Sequence, residues 1–329
     1  MHPAASAHPH APAPAITLTP AQQQALAAVL ARRLALQIQT PGALAQPQAT
    51  PYRAIHIHFQ PDWLVNGAMV IAHLATSGRY CTQFETGTSN GSYSPAPGGQ
   101  RWQWEHDWFA AAYDDAPADQ RPVYGAVQAS LAATSLAATA ATPPASYGAA
   151  PRFGSAYLQL HPQLAARSSF CDPDSYWQPT HWGHWQHMDW QHLACLALPD
   201  PLDHYVEAHV HGGLVLQRDV AAIVLDPSFA NTGVADWAAR TGVALRFHAG
   251  YRLDAQQLPT AAAYRGVEVA DALGDMLQRL ANAAAGAAPL PHLTPASLGH
   301  AQASGRYGAQ VLKKAWHCLA QLGAQPHHR

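Results

Sequence analysis

Apolar and polar residues alternate strictly in two stretches of the chain, and each predicts a strand with one polar face. In the first, Ile55, Ile57 and Phe59 alternate with His56 and His58. In the second, Tyr205, Glu207, His209 and His211 alternate with Val206, Ala208 and Val210. Successive strand side chains point to opposite faces, so each polar set shares one side. Ser155–Leu160, Asp219–Leu225 and Val243–His248 read as further strands, and Arg79–Glu85 as extended chain. Helical spacing covers Pro20 to Leu36, opened by a Thr19 cap with proline at the first position. It also covers Trp63–Thr76, stopped at Gly78, then Gln103–Tyr113, Val267–Ala284 and Tyr307–Leu322. Short strands mixed with helices, without regular βαβ spacing, predict an α+β fold of short-stranded mixed or antiparallel sheets with flanking helices. No repeat of solenoid length is present.

Between these elements the composition shifts. Residues 1–15 are rich in Ala, Pro and His and read as disordered, with the tail extending to 18. Residues 40–52 form a Pro/Gln-rich connector, and 132–150 a low-complexity insertion. The expected division is a tail (1–18), an N-terminal helix with connector (19–52), a catalytic-like α+β domain (53–284), and a linker with C-terminal helix (285–329).

The chain has 329 residues, 48% of them hydrophobic, enough for a substantial core. A formal charge of −2 offers no basic excess for a polyanion, so nucleic-acid binding is not favoured. Cys81, Cys171, Cys195 and Cys318 form no C-x-x-C pair, which argues against a disulfide scaffold or a cysteine zinc site. The N-terminal residues lack a charged start followed by an apolar run, and no segment has membrane length, so the expectation is a cytoplasmic protein or an effector exported by a dedicated system.

Histidine is the anomaly: 21 residues against 18 Lys and Arg together. Tyr205, Glu207, His209 and His211 line one strand face and end at the pair Gly212-Gly213, a pattern that suits a ligand cleft or, equally simply, a solvated antiparallel face. Two H-x-H pairs, His56/His58 and His209/His211, have the donor type for a divalent metal. The stretch from Gln83 to Gly99 contains Thr86, Gly87, Thr88, Ser89 and Asn90, which offer hydrogen-bonding groups and tight backbone geometry to a phosphate, ribose or amide. It matches no Walker or Rossmann spacing, so a surface loop fits it as well. Arg152 and Phe153, between Pro151 and Gly154, can hold an anion and stack on a ring, or simply make a turn before Ser155 opens a strand. His181, His184 and His187 would share a face if 176–192 were helical. Asp226 reads as a ligand or, more simply, as a strand-end turn carboxylate.

Several of these strings together, H-x-H-F, Q-F-E-T-G-T-S-N-G, P-V-Y-G-A (Pro122 to Ala126), P-R-F-G-S, R-S-S-F (Arg167 to Phe170), Y-V-E-A-x-V-H-G and D-P-S-F (Asp226 to Phe229), resemble a bacterial domain-of-unknown-function family over residues 53–270. That family in turn resembles the ADP-ribosyltransferase-like proteins. The second resemblance implies an ADP-ribosyltransferase-like core and NAD as a small-molecule nucleotide substrate, with ADP-ribose passed to an unknown acceptor. It also implies a set of site residues. His56 or His58 would stand on the early strand that holds NAD. Ser155, or Thr88 with Ser89, would occupy the middle position, and Glu207 would be the carboxylate that stabilises positive charge on the ribose as nicotinamide leaves. The catalytic set is then Glu207, His209 and His56. The cofactor-binding set is His58, Gln83, Thr86, Gly87, Thr88, Ser89, Asn90, Arg152, Phe153, Ser155 and His211. Glu207 lacks the E-x-E or Q-x-E doublet of arginine- or asparagine-modifying members, and Tyr264-Arg265-Gly266 resembles an NAD-anchoring arginine but comes too late in the chain. Two other classes stay open: a metal-dependent hydrolase with His56, His58, His209 and His211 as ligands, and a non-catalytic binding module.

Overall fold

A computed structural model describes residues 16–39, 54–88, 93–129, 147–190, 192–284 and 291–325. Its centre is an eight-stranded sheet. In chain order the strands are β1 (Ile55–Phe59), β2 (Val123–Gln128), β3 (Ala156–Leu160), β4 (Ser168–Asp172), β5 (His181–His184), β6 (Tyr205–Val210), β7 (Val220–Leu225) and β8 (Leu245–Phe247). Across the sheet they run β8-β7-β3-β1-β2-β6-β4-β5. Every pairing is antiparallel except β7 with β8. The fold is mixed α+β, with helices flanking one large sheet.

The two-residue alternation works as the sequence predicts. Ile55, Ile57, Phe59, Val123, Val127, Leu158, Leu160, Phe170, Val206, Ala208, Val210, Ile223 and Leu225 meet in one core. That core is closed by α2 (Val70–Ser77) and α4 (Gly233–Arg240) through Ile71, Leu74, Val234 and Ala238. On the opposite face, α1 (Pro20–Gln39) and α3 (Gln100–Trp108) bring Ala25, Val29 and Trp104 together with Phe109, Tyr113 and Cys171. A further core gathers α5 (Leu258–Arg265), α6 (Val267–Ala283), α7 (Pro295–Ala303) and α8 (Ala309–Leu322) around Tyr251 and Leu253. Trp316 of α8 reaches back to the sheet side, donating its indole N–H to the Pro151 carbonyl at 2.9 Å. Both sheet faces are therefore covered, and β1 and β6 are buried along their whole length.

Local chemistry explains the places where the chain departs from its predicted elements. Residues 63–76 do not form one helix. Asn66 and Gly67 take positive φ (51° and 80°), the geometry of a two-residue hairpin turn joining Leu64–Val65 to Ala68–Met69. Only then does α2 begin, ending at Gly78 in the left-handed region as expected. The extended chain expected over 79–85 shrinks to Arg79–Tyr80, because Thr82 and Glu85 form a capping box that turns Gln83–Thr86 into a helical turn. Residues 181–187 are strand followed by a 3-10 turn, so His181, His184 and His187 share no helix face. β2 and β4 were not predicted from periodicity. The tail at 1–15, the connector at 40–52 and most of the low-complexity insertion lie outside the described residues. Among the described residues no helix is long and apolar enough to cross a membrane.

The segment after the insertion seals the end of β1 through His58. A Cβ on Gly148 (φ +83°) would lie 2.4 Å from His58 Nε2, and one on Gly154 would lie 2.2 Å from the Phe59 carbonyl carbon. The Ala150 N–H donates to Nε2 at 3.2 Å, so Nδ1 must carry the ring proton that it donates to the Gly154 carbonyl at 3.0 Å. Burial drives the His58 pKa down to about 4. His58→Phe leaves both backbone groups unpaired and is expected to cost about 2–4 kcal/mol at pH 8. The native ring is neutral at pH 5 while an unfolded histidine is protonated, so wild-type stability falls from pH 6.5 towards 4 through this group. The deficit of the variant should therefore narrow by about 2 kcal/mol at pH 5. Urea unfolding at both pH values measures it, and an unchanged deficit would contradict the neutral ring.

Candidate functional site

The polar face of β6 is buried. Glu207 is 7% exposed, His209 2% and His211 0%, so this is no solvated antiparallel face. Buried polar groups must find partners inside the protein, and here they form one continuous chain. His209 Nε2 lies 3.0 Å from Glu207 Oε1. Ser169 Oγ, across the β6–β4 ladder, stands 3.1 Å from both His209 Nδ1 and His211 Nε2. Tyr113 Oη lies 2.5 Å from His211 Nδ1. The direction of each bond follows from its end. The carboxylate can only accept, so His209 Nε2 carries the proton; with neutral rings, Ser169 then donates to His209, His211 Nε2 donates to Ser169, and Tyr113 donates to His211.

The other oxygen of Glu207 is held from the opposite side. Ser175 donates to Oε2 at 3.1 Å and accepts from Arg101 Nη1 at 2.9 Å. Arg101, on α3, lies between Tyr93, Trp104 and Tyr124, with its guanidinium 4.3 Å from the Tyr124 ring centre. Burial alone would raise the Glu207 carboxyl. The His209 hydrogen bond, the Arg101 charge and the Ser175 hydroxyl together outweigh it, and the group titrates below its ordinary value. One turn along α3 from Arg101, Glu105 accepts from Arg121 Nη1 at 2.6 Å and from Tyr124 Oη at 2.9 Å. Burial pushes Glu105 up to about 7 against the pull of Arg121. Cys171 faces Glu207 from the paired position on β4, its Sγ 3.7 Å from Oε1. Burial first, then the Glu207 charge, keep it a thiol.

The two polar strands lie on the same sheet face with β2 between them. His56 pairs in register with Ala126, and Ala126 with Glu207. The His56 ring packs on Tyr157 at 4.5 Å, and its buried Nδ1 has no hydrogen-bond partner. The four imidazoles do not converge on one metal position: His58 and His211 have both ring nitrogens engaged within the protein. Among the described residues the only group with metal-ligand spacing is Cys171, Glu207 and His209.

Other expected contacts serve the fold. Arg152 is held by Asp203 at 2.5 Å and Asp200 at 3.4 Å, so it is not a free anion clamp. Phe153 packs edge-on to Tyr205. Ser155 donates to Gln60 Oε1 at 2.9 Å and is buried. Gly212 is approached by Ile16 and Leu18 of the chain itself. Asp226 caps the turn at Pro227–Phe229, as expected. Thr86, Gly87 and Thr88 sit on the surface, Thr88 donating to Thr86 at 2.9 Å, while Gln83 keeps a buried, unpaired Oε1. Ser89 and Asn90 lie outside the described residues. Sequence reasoning missed Arg101, Glu105, Tyr113, Arg121, Tyr124, Ser169, Cys171 and Ser175. For Ser169 the R-S-S-F string was a signal.

The family model described as "Protein of unknown function (DUF3626)" matches residues 54–199 and 192–322, which takes in the whole sheet and the helices after it. The chain belongs to the DUF3626 family. No curated protein matches it.

This chain contains a buried Arg121–Glu105 pair beside its polar network. Arg121→Met strands Glu105 and should cost about 3–5 kcal/mol in urea unfolding, much of it recovered by adding Glu105→Gln. No recovery would show that the pair is not one electrostatic unit.

Proposed function

We propose that this DUF3626 protein is an ADP-ribosyltransferase-like enzyme that binds NAD on the polar sheet face and cleaves its nicotinamide–ribose bond at Glu207. The observation that carries the reading is the row His56–Ala126–Glu207 across three adjacent strands. Such chemistry asks for a histidine or arginine on an early strand and a glutamate on a later one, facing the same ligand. Two strand spacings, about 10 Å, separate them, and Ala126 lies between, itself buried, so NAD reaches this row only by displacing the side chains that cover it. Ala149, Ala150, Phe153 and Tyr205 cluster with Ala126, and an apolar surround of this kind strengthens charge interactions.

Each neighbour of Glu207 then has a task. Ser175 and Arg101 fix Oε2 and keep the carboxylate charged. His209 holds Oε1 in place, itself held by Ser169, so the anion does not have to reorganise as positive charge develops on the ribose. His56, with its unpaired Nδ1 and its ring on Tyr157, offers one polar contact and one planar surface to the dinucleotide. The acceptor of ADP-ribose is water or a second substrate.

The test is incubation of the protein with NAD labelled in the nicotinamide ring. Nicotinamide release should fall on the order of 10²-fold in Glu207→Gln, which keeps the shape and removes the charge. Circular dichroism should report an unchanged fold. Release that persists in a folded Glu207→Gln protein would remove Glu207 from the chemistry. NAD binding without any release would make the protein a binding module.

A further inference from the structure

Cys171, Glu207 and His209 place a thiol, a carboxylate oxygen and an imidazole nitrogen around one point. Their separations are 3.7 Å (Sγ to Oε1), 3.0 Å (Nε2 to Oε1) and 4.0 Å (Sγ to Nε2). A tetrahedral zinc with ordinary bond lengths sets such donors about 3.3–3.6 Å apart, so each pair is within about 0.5 Å of closing on an ion. The backbone is fixed: Cys171 and Glu207 are a register pair of the β4–β6 ladder, and His209 follows on the same face. All three are buried, and the supporting contacts of a metal site are in place. Ser169 stands at the second nitrogen of His209, and Ser175 with Arg101 at the second oxygen of Glu207. We infer that these three residues form a binding site for a zinc-class divalent cation.

The donor set selects the ion class. Thiolate and imidazole favour Zn²⁺, Co²⁺ or Fe²⁺ over Mg²⁺ or Ca²⁺. Binding exchanges protons in a defined way. The Cys171 thiol releases its proton to solvent and becomes a thiolate. The Nε2 proton of His209 is replaced by the metal, and the neutral ring takes its proton on Nδ1, donating it to Ser169. Ser169 then turns its hydroxyl to His211 Nε2, and His211 donates from Nδ1 to Tyr113 Oη. The chain reverses from His209 to His211, Tyr113 turns its hydroxyl proton away from His211, and one proton, that of Cys171, leaves. Arg101 opposes the cation; the Cys171 and Glu207 charges outweigh it by one.

One consequence rests on the proposed function: a metal here takes Oε1 of Glu207, so Zn²⁺ should suppress nicotinamide release. The site itself is tested without that reaction. The full chain, reduced and stripped of metal, is titrated with Co²⁺ and watched for thiolate-to-cobalt charge transfer in the near ultraviolet. One equivalent should bind with this band and be displaced by Zn²⁺. The terminal histidines His2, His8, His10, His327 and His328 bind cobalt without a thiolate band. Cys171→Ala should abolish the band, and Ser169→Ala should weaken binding roughly 10–100-fold with all ligands intact. Absence of the band in the folded wild type, or its survival in Cys171→Ala, overturns the site. If Cys171→Ala does not fold, Cys81→Ala decides: the band must survive there, and its loss equally overturns the assignment.

Discussion

The organising constraint of this protein is that the polar face of its sheet is buried. A half-exposed antiparallel sheet leaves its polar side to water; here α1, α3 and the aromatic residues that follow α3 cover it. Every polar atom on β6 and β4 must then be answered by a protein group, because an unanswered one costs about 1–3 kcal/mol. Tyr113, His211, Ser169, His209, Glu207, Ser175 and Arg101 meet most of that demand in a single line, and Tyr205 is answered separately by Asp174. The line draws on two strands, one helix and three connecting segments, so the network ties together parts of the chain more than 100 residues apart. A network with this many members fixes the register of β4 against β6, since a slip of one residue would turn Ser169 and Cys171 to the apolar side.

How far this was legible in the sequence follows from the same constraint. The alternation in His56/His58 and in Glu207/His209/His211 was readable, because apolar partners mark the other face and fix which side is polar. Caps were readable for the same local reason: Thr19, Gly78 and Asp226 behave as their residue types predict. β2 was not, although it lies between the two polar strands. Val123–Gln128 carries Gly125 and Ala126 in its middle, where close approach matters more than periodicity: a Cβ on Gly125 would stand 2.5 Å from Ile57 Cδ1. The charged cover was also invisible. Arg101 reaches Glu207 through Ser175 from a helix that reads as an ordinary aromatic amphipathic segment, and nothing in its spacing announces a buried guanidinium. Burial itself is a tertiary property, so the choice between a wet and a dry polar face could not be made from the pattern alone.

Two buried ion systems start from α3. Glu105 with Arg121 is fully inside and serves position: Arg121 also donates to the Tyr113 carbonyl at 2.7 Å, fixing the start of the hydrogen-bond chain. Arg101, one turn before Glu105 on α3, is buried as well and reaches Glu207 through Ser175. Replacing such pairs by apolar groups often leaves stability unchanged, so stability alone does not account for their form. The division of labour does. The Glu105–Arg121 pair holds Tyr124 and the Tyr113 segment, and those two rings pack on Arg101 and His211, which reach the carboxylate through Ser175 and through Ser169 and His209.

Oε2 of Glu207 is committed to Ser175, and through it to Arg101. Oε1 faces His209 and Cys171. Any ligand of this carboxylate, a ribose hydroxyl or a metal ion, therefore competes for the same oxygen, and it must be compatible with the direction of the chain behind it. A ribose leaves His209 donating, and the protons stay where they are. A cation requires His209 to present a lone pair, and that choice propagates through Ser169 and His211 to Tyr113. Because neutral imidazoles and hydroxyls can donate or accept at either end, the stretch from His209 through Ser169 to His211 can run in either direction; in the reversed one Tyr113 accepts from His211 and gives up the acceptor of its own hydroxyl proton. The side chains that make the face dry thus also make it two-valued, and the occupant of Oε1 selects between the two.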